Sequence, residues 1–228
     1  MNFIGIDLSL NSTAVFIQTI NSSYNKSTIL SFTNKKDNNI YIKELGRSGV
    51  KFFFAKEQKK DIYSKNEMMK IQRYDDLSEK IISEIIKNID TSKTFCQMEG
   101  YSYSSGNTTS LLDIVSLSTL VRFKLLKRIR NLDMTVISPS SLKKDVCGYV
   151  YGYYKKGKTK NDLGISGGRF KKPEMFKAML DGKIQSPIFN FLIEYKHLME
   201  RKKIPNPIED IIDATFACKL KQKEVENL

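Results

Sequence analysis

Four acidic residues stand where acids are unusual, and together they point to metal chemistry. Asp7 falls inside "FIGIDLSLNSTAV" (3–15), where Phe3, Ile4, Ile6 and Leu8 mark a buried strand. A buried carboxylate without a partner either neutralises or finds a cation. Glu99 closes the short strand "TFCQMEG", just before the loop "GYSYSSGN". Asp210 and Asp213, three apart in "NPIEDIIDATFACKL", share one helical face. In that stretch Asn206 is placed to cap the helix, Pro207 to open it, and Glu209 to act as a capping-box acid. Ile208, Ile211, Ile212 and Phe216 form the face expected to pack on a sheet. Taken singly, Asp210 complements a helix dipole and Glu99 is a solvated turn acid. Asp7 is harder to dismiss, and the combination is the signal. Several carboxylates with no histidine among them suit Mg²⁺ or Mn²⁺ and not zinc.

The rest of the composition narrows the chemistry. His197 is the only histidine and sits in a Lys-rich helical pattern, where a surface position is expected. A histidine general base or a His-rich metal site is therefore disfavoured. Cys96, Cys147 and Cys218 lie far apart and read as small core hydrophobes in a reducing compartment. No apolar run approaches the ~18 residues that a membrane span needs. No secretion signal is evident, so the expected location is the cytoplasm. Lys and Arg number 38 against 25 Asp and Glu, a net charge of +13 that suggests a polyanionic partner such as nucleic acid. Low glycine with abundant Lys, Asn and Ile suggests an AT-rich genome, with a phage as the source to expect.

The elements that must position these acids can be read by period. The chain is expected to form one domain, 1–228, with a basic insertion at about 149–172. Strands at 3–9, 13–20 and 27–33, separated by short polar turns, form an antiparallel meander. "IYIKEL" and "VKFFFA" (50–55) carry no placement. Met69, Ile71, Leu77, Ile81, Ile82, Ile85 and Ile86 give residues 66–89 a helical period. A strand at 94–100, a long helix at 107–130 and a strand at 134–138 follow. "SLKKDVCG" reads as a short helix closed by Gly148. Residues 149–172 are Gly-, Tyr- and Lys-rich without periodicity, as in a loop or arm. Helices are expected at 173–181, 187–202 and 207–222. This order implies an α/β fold built on a mixed five-stranded sheet.

The succession "GIDLSLNST", "QMEGYSYSSG", "PSSLKKDVCG" and "EDIIDATFACKL" resembles the RuvC-type Holliday junction resolvases of the ribonuclease H-like superfamily. The resemblance spans almost the whole chain in matching order. It implies a magnesium-dependent endonuclease of DNA recombination and repair, with Mn²⁺ able to substitute. Two metal ions about 4 Å apart would serve an in-line attack on a phosphodiester. Carried over by motif, the metal ligands fall on Asp7, Glu99, Asp210 and Asp213, with Asp7 shared by both ions. The family's lysine in P-x-x-x-K-x-x-x-x-G falls on Lys143, facing the scissile phosphate, and a second falls best on Lys172. A homodimer nicking a four-way junction symmetrically is implied, through helices 107–130 and 66–89. The sequence departs from the family at Leu8-Ser9, where Pro-Gly is usual, and at Thr13-Ala14. It departs again at Ser102, where some members carry an aromatic; Tyr101 and Tyr103 flank it.

Two basic stretches offer surface for DNA. Lys155, Lys156, Lys158, Lys160, Arg169, Lys171 and Lys172 face Asp162 as the only acid between 155 and 172. Glycines there let backbone approach phosphates while tyrosines stack on unpaired bases. "VRFKLLKRIR" carries Arg122, Lys124, Lys127, Arg128 and Arg130, and reads equally as DNA contact or solvated face. Two rivals remain. "FIGIDLSLNSTA" also resembles the first phosphate loop of actin-like ATPases, which need well over ~300 residues and a second, Gly-rich loop. A flap, fork or packaging nuclease would share the fold and the carboxylates.

Overall fold

The structure is a computed structural model, and it describes residues 1–36, 39–55, 62–101, 108–152, 170–201 and 204–227. Three strands form the expected meander: β1 (Asn2–Asp7), β2 (Ser12–Ile20) and β3 (Asn25–Thr33). The antiparallel register sets Asp7 opposite Ala14 and Ser12 opposite Thr33. "IYIKEL" opens α1 (Ile40–Arg47), which Asn39 caps by accepting from the Tyr41 and Ile42 backbone N–H groups. The turn after it reverses the chain at Gly49, whose φ of 91° suits glycine. β4 (Val50–Phe54) then pairs parallel to β3.

β4 makes the sheet six-stranded, in the order β4-β3-β2-β1-β5-β6, where five strands were expected. Five residues of edge strand reached by a crossover leave no hairpin signal for periodicity to find. β5 (Thr94–Glu99) lies parallel to β1, and β6 (Leu132–Ile137) parallel to β5. α2 (Tyr63–Asn88) precedes β5 and α3 (Thr108–Arg128) lies between β5 and β6 in the chain, both within a few residues of their expected bounds. The chain ends with α4 (Pro139–Tyr151), α5 (Lys172–Leu180), α6 (Phe189–Glu194), a 3₁₀ turn (Lys196–Glu200) and α7 (Ile208–Glu226).

Three boundaries differ from the sequence reading. α4 does not close at Gly148, which is buried inside it; Gly152 (φ 92°) ends it, donating to the Gly148 carbonyl at 3.0 Å. Residues 149–151 of the expected insertion are therefore helical, and residues 153–169 lie outside the described residues. The expected helix 187–202 is split at Tyr195 into α6 and the 3₁₀ turn. His197 is exposed in that turn, and the three cysteines are buried, as expected.

Side chains alternate across the sheet and give two cores. Ile4, Ile6, Val15, Leu30 and Met98 face α2 and α3, where Ile81, Ile82, Ile85, Leu117, Val121 and Leu125 pack on them. Phe3, Phe16, Ile29 and Phe95 face the other way, beneath α7. There α4, α5 and α6 add Val146, Phe176 and Phe191. α7 is consequently enclosed, with Ile208, Ile211, Ile212 and Phe216 buried as expected, but Thr215, Ala217 and Cys218 buried too.

Candidate active site

Parallel pairing of β1 with β5 sets Ile6 beside Met98, so the next residues, Asp7 and Glu99, leave the sheet side by side. Asp7 continues the face of Phe3 and Gly5, under α7. Gly5 lets that helix come down. A Cβ there would run into the Ala214 carbonyl oxygen and the Cys218 backbone nitrogen, and lie 2.9 Å from Cys218 Cβ. Close seating brings the first turns of α7 to the strand ends. Carboxylate oxygens of Asp7, Glu99 and Asp213 all lie within 4.8 Å of one another.

Asp210 joins from the preceding turn of α7, with Asp7 and Ser12 as its polar neighbours. The expected cap is absent. Pro207 is the N-cap residue, its side chain makes no capping bond, and the Pro205 carbonyl accepts from Ile208 (3.0 Å) and Glu209 (3.4 Å). Glu209, freed from capping, turns toward Lys172 instead, with 3.5 Å between Oε1 and Nζ.

The cluster is electrostatically tense. Burial pushes the Asp7 carboxyl well up, and the charges of Glu99 and Asp210 push it further. Burial raises Asp210 to about 7, opposed in part by Ser12. Burial also raises Glu99, while Lys172 and Lys143 pull it back. Both lysines therefore address the carboxylates. Lys143 does so from α4; Lys172, first residue of α5, is ion-paired with Asp213. Phe170, almost fully buried, anchors the chain just ahead of it.

Glu99 Oε2, Asp210 Oδ2 and Asp213 Oδ1 are buried and lack a hydrogen-bond partner among the described residues. Unpartnered buried carboxylate oxygens need a cation or a proton. An all-oxygen set of this kind fits a hard divalent ion.

Of the other candidates, Lys171 is the N-cap of α5, its backbone N–H donating to Glu174 Oε2 at 2.9 Å, and Tyr101 follows β5, partly exposed. Tyr103, Lys155, Lys156, Lys158, Lys160 and Arg169 lie outside the described residues. The 122–130 stretch is less free than its composition suggests. Lys124 pairs with Asp75 (2.8 Å) and Glu79 (3.4 Å), and Arg128 with Glu79 (2.5 Å), tying α3 to α2. Sequence reading missed Gly5 and the orientation of Glu209. The G-I-D spelling was a signal for the first; nothing local signalled the second.

No protein-family model matches the chain, and no curated protein matches it. Solved structures do. RuvC of Thermus thermophilus superposes with a TM-score of 0.52 at 10% identity, over 100% of this chain and 96% of that one. The yeast mitochondrial Holliday junction resolvase superposes with a TM-score of 0.51 at 11% identity, over 98% and 80% respectively. At such identities the likeness concerns architecture, and the chain has the ribonuclease H-like fold of these RuvC-type neighbours.

Proposed function

We propose that this chain is a divalent-metal-dependent endonuclease that resolves Holliday junctions or related branched DNA by paired, symmetric nicks. The observation that carries the reading is the convergence of Asp7, Glu99 and Asp213, with Asp210 alongside, at the carboxyl ends of the interior strands β1 and β5. These four residues would hold two Mg²⁺ ions, with Mn²⁺ able to substitute. Bound there, such ions supply an activated water and stabilise the leaving oxygen of a phosphodiester.

The protein's own groups do the rest. Lys143 and Lys172, both facing Glu99, bring positive charge to the scissile phosphate and orient it. Lys171, the lysines Lys155, Lys156, Lys158 and Lys160, and Arg169 extend that charge along the DNA. Tyr101 and Tyr103 stack on exposed bases. The whole chain acts as one nuclease domain. It works as a homodimer, because two symmetric nicks in a near two-fold substrate call for two symmetric sites. Met68 and Ile71 on α2, with Leu112, Phe123 and Leu126 on α3, are exposed apolar side chains on helices that pack together, and they support an interface there.

The test offers a synthetic four-way junction, a fork, a flap and linear duplex to the protein with Mg²⁺. Paired nicks at symmetric positions in the junction, abolished by Asp7→Asn, are expected. Preference for the flap or fork would move the substrate within the same fold. No cleavage of any of them with Mg²⁺ or Mn²⁺ would refute the reading.

A further inference from the structure

Lys172 and a metal ion would share one carboxylate, the lysine on Asp213 Oδ2 and the ion reaching Oδ1, which has no hydrogen-bond partner among the described residues. Lys172 Nζ is paired with Asp213, and Asp213 belongs to the carboxylate trio. A divalent ion on Asp213 would draw off much of the negative charge that holds the lysine there. The lysine cannot simply leave, because it opens α5 between buried Phe170 and buried Met175 and Phe176. An ammonium left unpaired beside a bound dication would oppose its binding.

Glu209 is placed to prevent this. It lies one turn before Asp213 on α7, so both residues address Lys172 from one helical face. Its Oε1 is 3.5 Å from Nζ, and its Oε2 is buried with no hydrogen-bond partner among the described residues. It stands outside the trio whose oxygens lie within 4.8 Å of one another. Its negative charge is also among the causes that raise Asp7 and Glu99.

We propose that Glu209 is a positioning residue that takes over the Lys172 ammonium when a cation occupies Asp213, keeping the lysine at the site and out of competition with the metal. This rests on the metal-binding reading above. Lys172 would then alternate between two carboxylates on one helix, held on Asp213 in the metal-free protein and on Glu209 in the loaded one. Its three donors stay near the point where a phosphate oxygen arrives.

Calorimetric titration of the full chain with Mn²⁺, without DNA, tests this in wild type, Glu209→Gln, Lys172→Gln and the double variant. Glu209→Gln should weaken Mn²⁺ binding by about tenfold, the size of a contact-level coupling. Most of that loss should vanish once Lys172 is also Gln. Glu209→Asp, which keeps the charge, should recover much of the affinity, whereas a purely structural role would not track charge. Each variant's melting curve checks that it folds. An equal loss in both backgrounds would make Glu209 a ligand or a distant field charge, and would overturn the proposal. So would wild-type affinity in Glu209→Gln. Failure of the wild-type protein itself to bind Mn²⁺ would instead strike the metal reading on which the proposal stands.

Discussion

α2 and α7 lie on opposite faces of one sheet and dispose of charge in opposite ways. α2 is a 26-residue amphipathic helix that buries Tyr74, Ser78, Ile81, Ile82 and Ile85 and turns its acids outward. Asp75 and Glu79, about half exposed, meet Lys124 and Arg128 of α3 at the surface. α7 is enclosed, and Asp210, Asp213 and Lys221 are buried along with its apolar side chains. Charges on α2 sit where solvent screens them and contribute little to stability. The buried carboxylates of α7, Asp210 and Asp213, oppose folding unless a cation offsets them. A fold that kept Asp210 and Asp213 for stability alone would be poorly served, so the α7 side is read as the working side.

The largest expected effect breaks that side. Asp7→Asn should abolish cleavage while leaving junction binding largely intact, because in the proposed reading binding comes from basic surface away from β1. Removing a carboxylate that burial and neighbouring charge oppose should also raise the melting temperature of the metal-free protein. Cleavage at the wild-type rate, or a lowered metal-free melting temperature, would contradict the contrast between the faces.

Next in size is Gly5→Ala. The added methyl meets backbone atoms of α7 and not a flexible side chain, so relief requires the helix to lift off β1. The expected loss exceeds the ~1–3 kcal/mol typical of overpacking. It should appear as a lower denaturant midpoint together with weakened Mn²⁺ binding, since Asp210 and Asp213 move with the helix. The equivalent change on the α2 face, Ile81→Val, should cost only about 0.5–1.5 kcal/mol and leave Mn²⁺ affinity unchanged.

The two helices also differ in how legible they were. α2 announces itself by period, because one face is dry and the other wet. Its expected bounds were nearly right for that reason. α7 also shows an apolar face, Ile208, Ile211, Ile212 and Phe216, but its burial extends well beyond that face, and its acids were legible through Asp7, a carboxylate in an apolar strand. What stayed hidden depends on contacts distant in the chain. Glu209 looked like a capping acid because caps are local; the Pro205 carbonyl takes that task, and Lys172, 37 positions earlier by numbering, takes the glutamate. β4 and the run of α4 through Gly148 were missed because pairing and packing overrode short local signals.

A smaller effect concerns pH, and the two faces give opposite signs. Asp210 titrates near 7 in the folded protein, against an ordinary 3.8. Between those values the folded state holds a proton that the unfolded chain releases, so metal-free stability falls as pH rises through the window. Asp7 and Glu99, also raised, add to the fall. Glu79, lowered first by its bond to Arg128, works the other way: its contribution is present above the ordinary glutamate range and is lost in acid. Melting curves from pH 5 to 8 should therefore decline without metal, flatten with Mn²⁺, and flatten in Asp210→Asn. A rise across that range without metal would place the carboxylates in a more solvated setting than the structure gives them.

The smallest effect sharpens the comparison from the α2 side. Arg128→Ala removes one cation from Glu79 but leaves it Lys124 at 3.4 Å, and Lys124 keeps Asp75 at 2.8 Å. No buried charge is stranded, since Lys124 keeps Asp75 and Glu79, and Arg128 and Glu79 are both substantially exposed. The melting temperature should barely change at low salt and not at all at high salt, because exposed charges are screened within about 10 Å at 0.1 M. Cleavage should stay at the wild-type level if α3 serves only to hold α2. A clear loss of junction affinity with an unchanged melting temperature would show instead that this basic helix touches DNA directly, a footprint apart from the one proposed for Lys155, Lys156, Lys158 and Lys160.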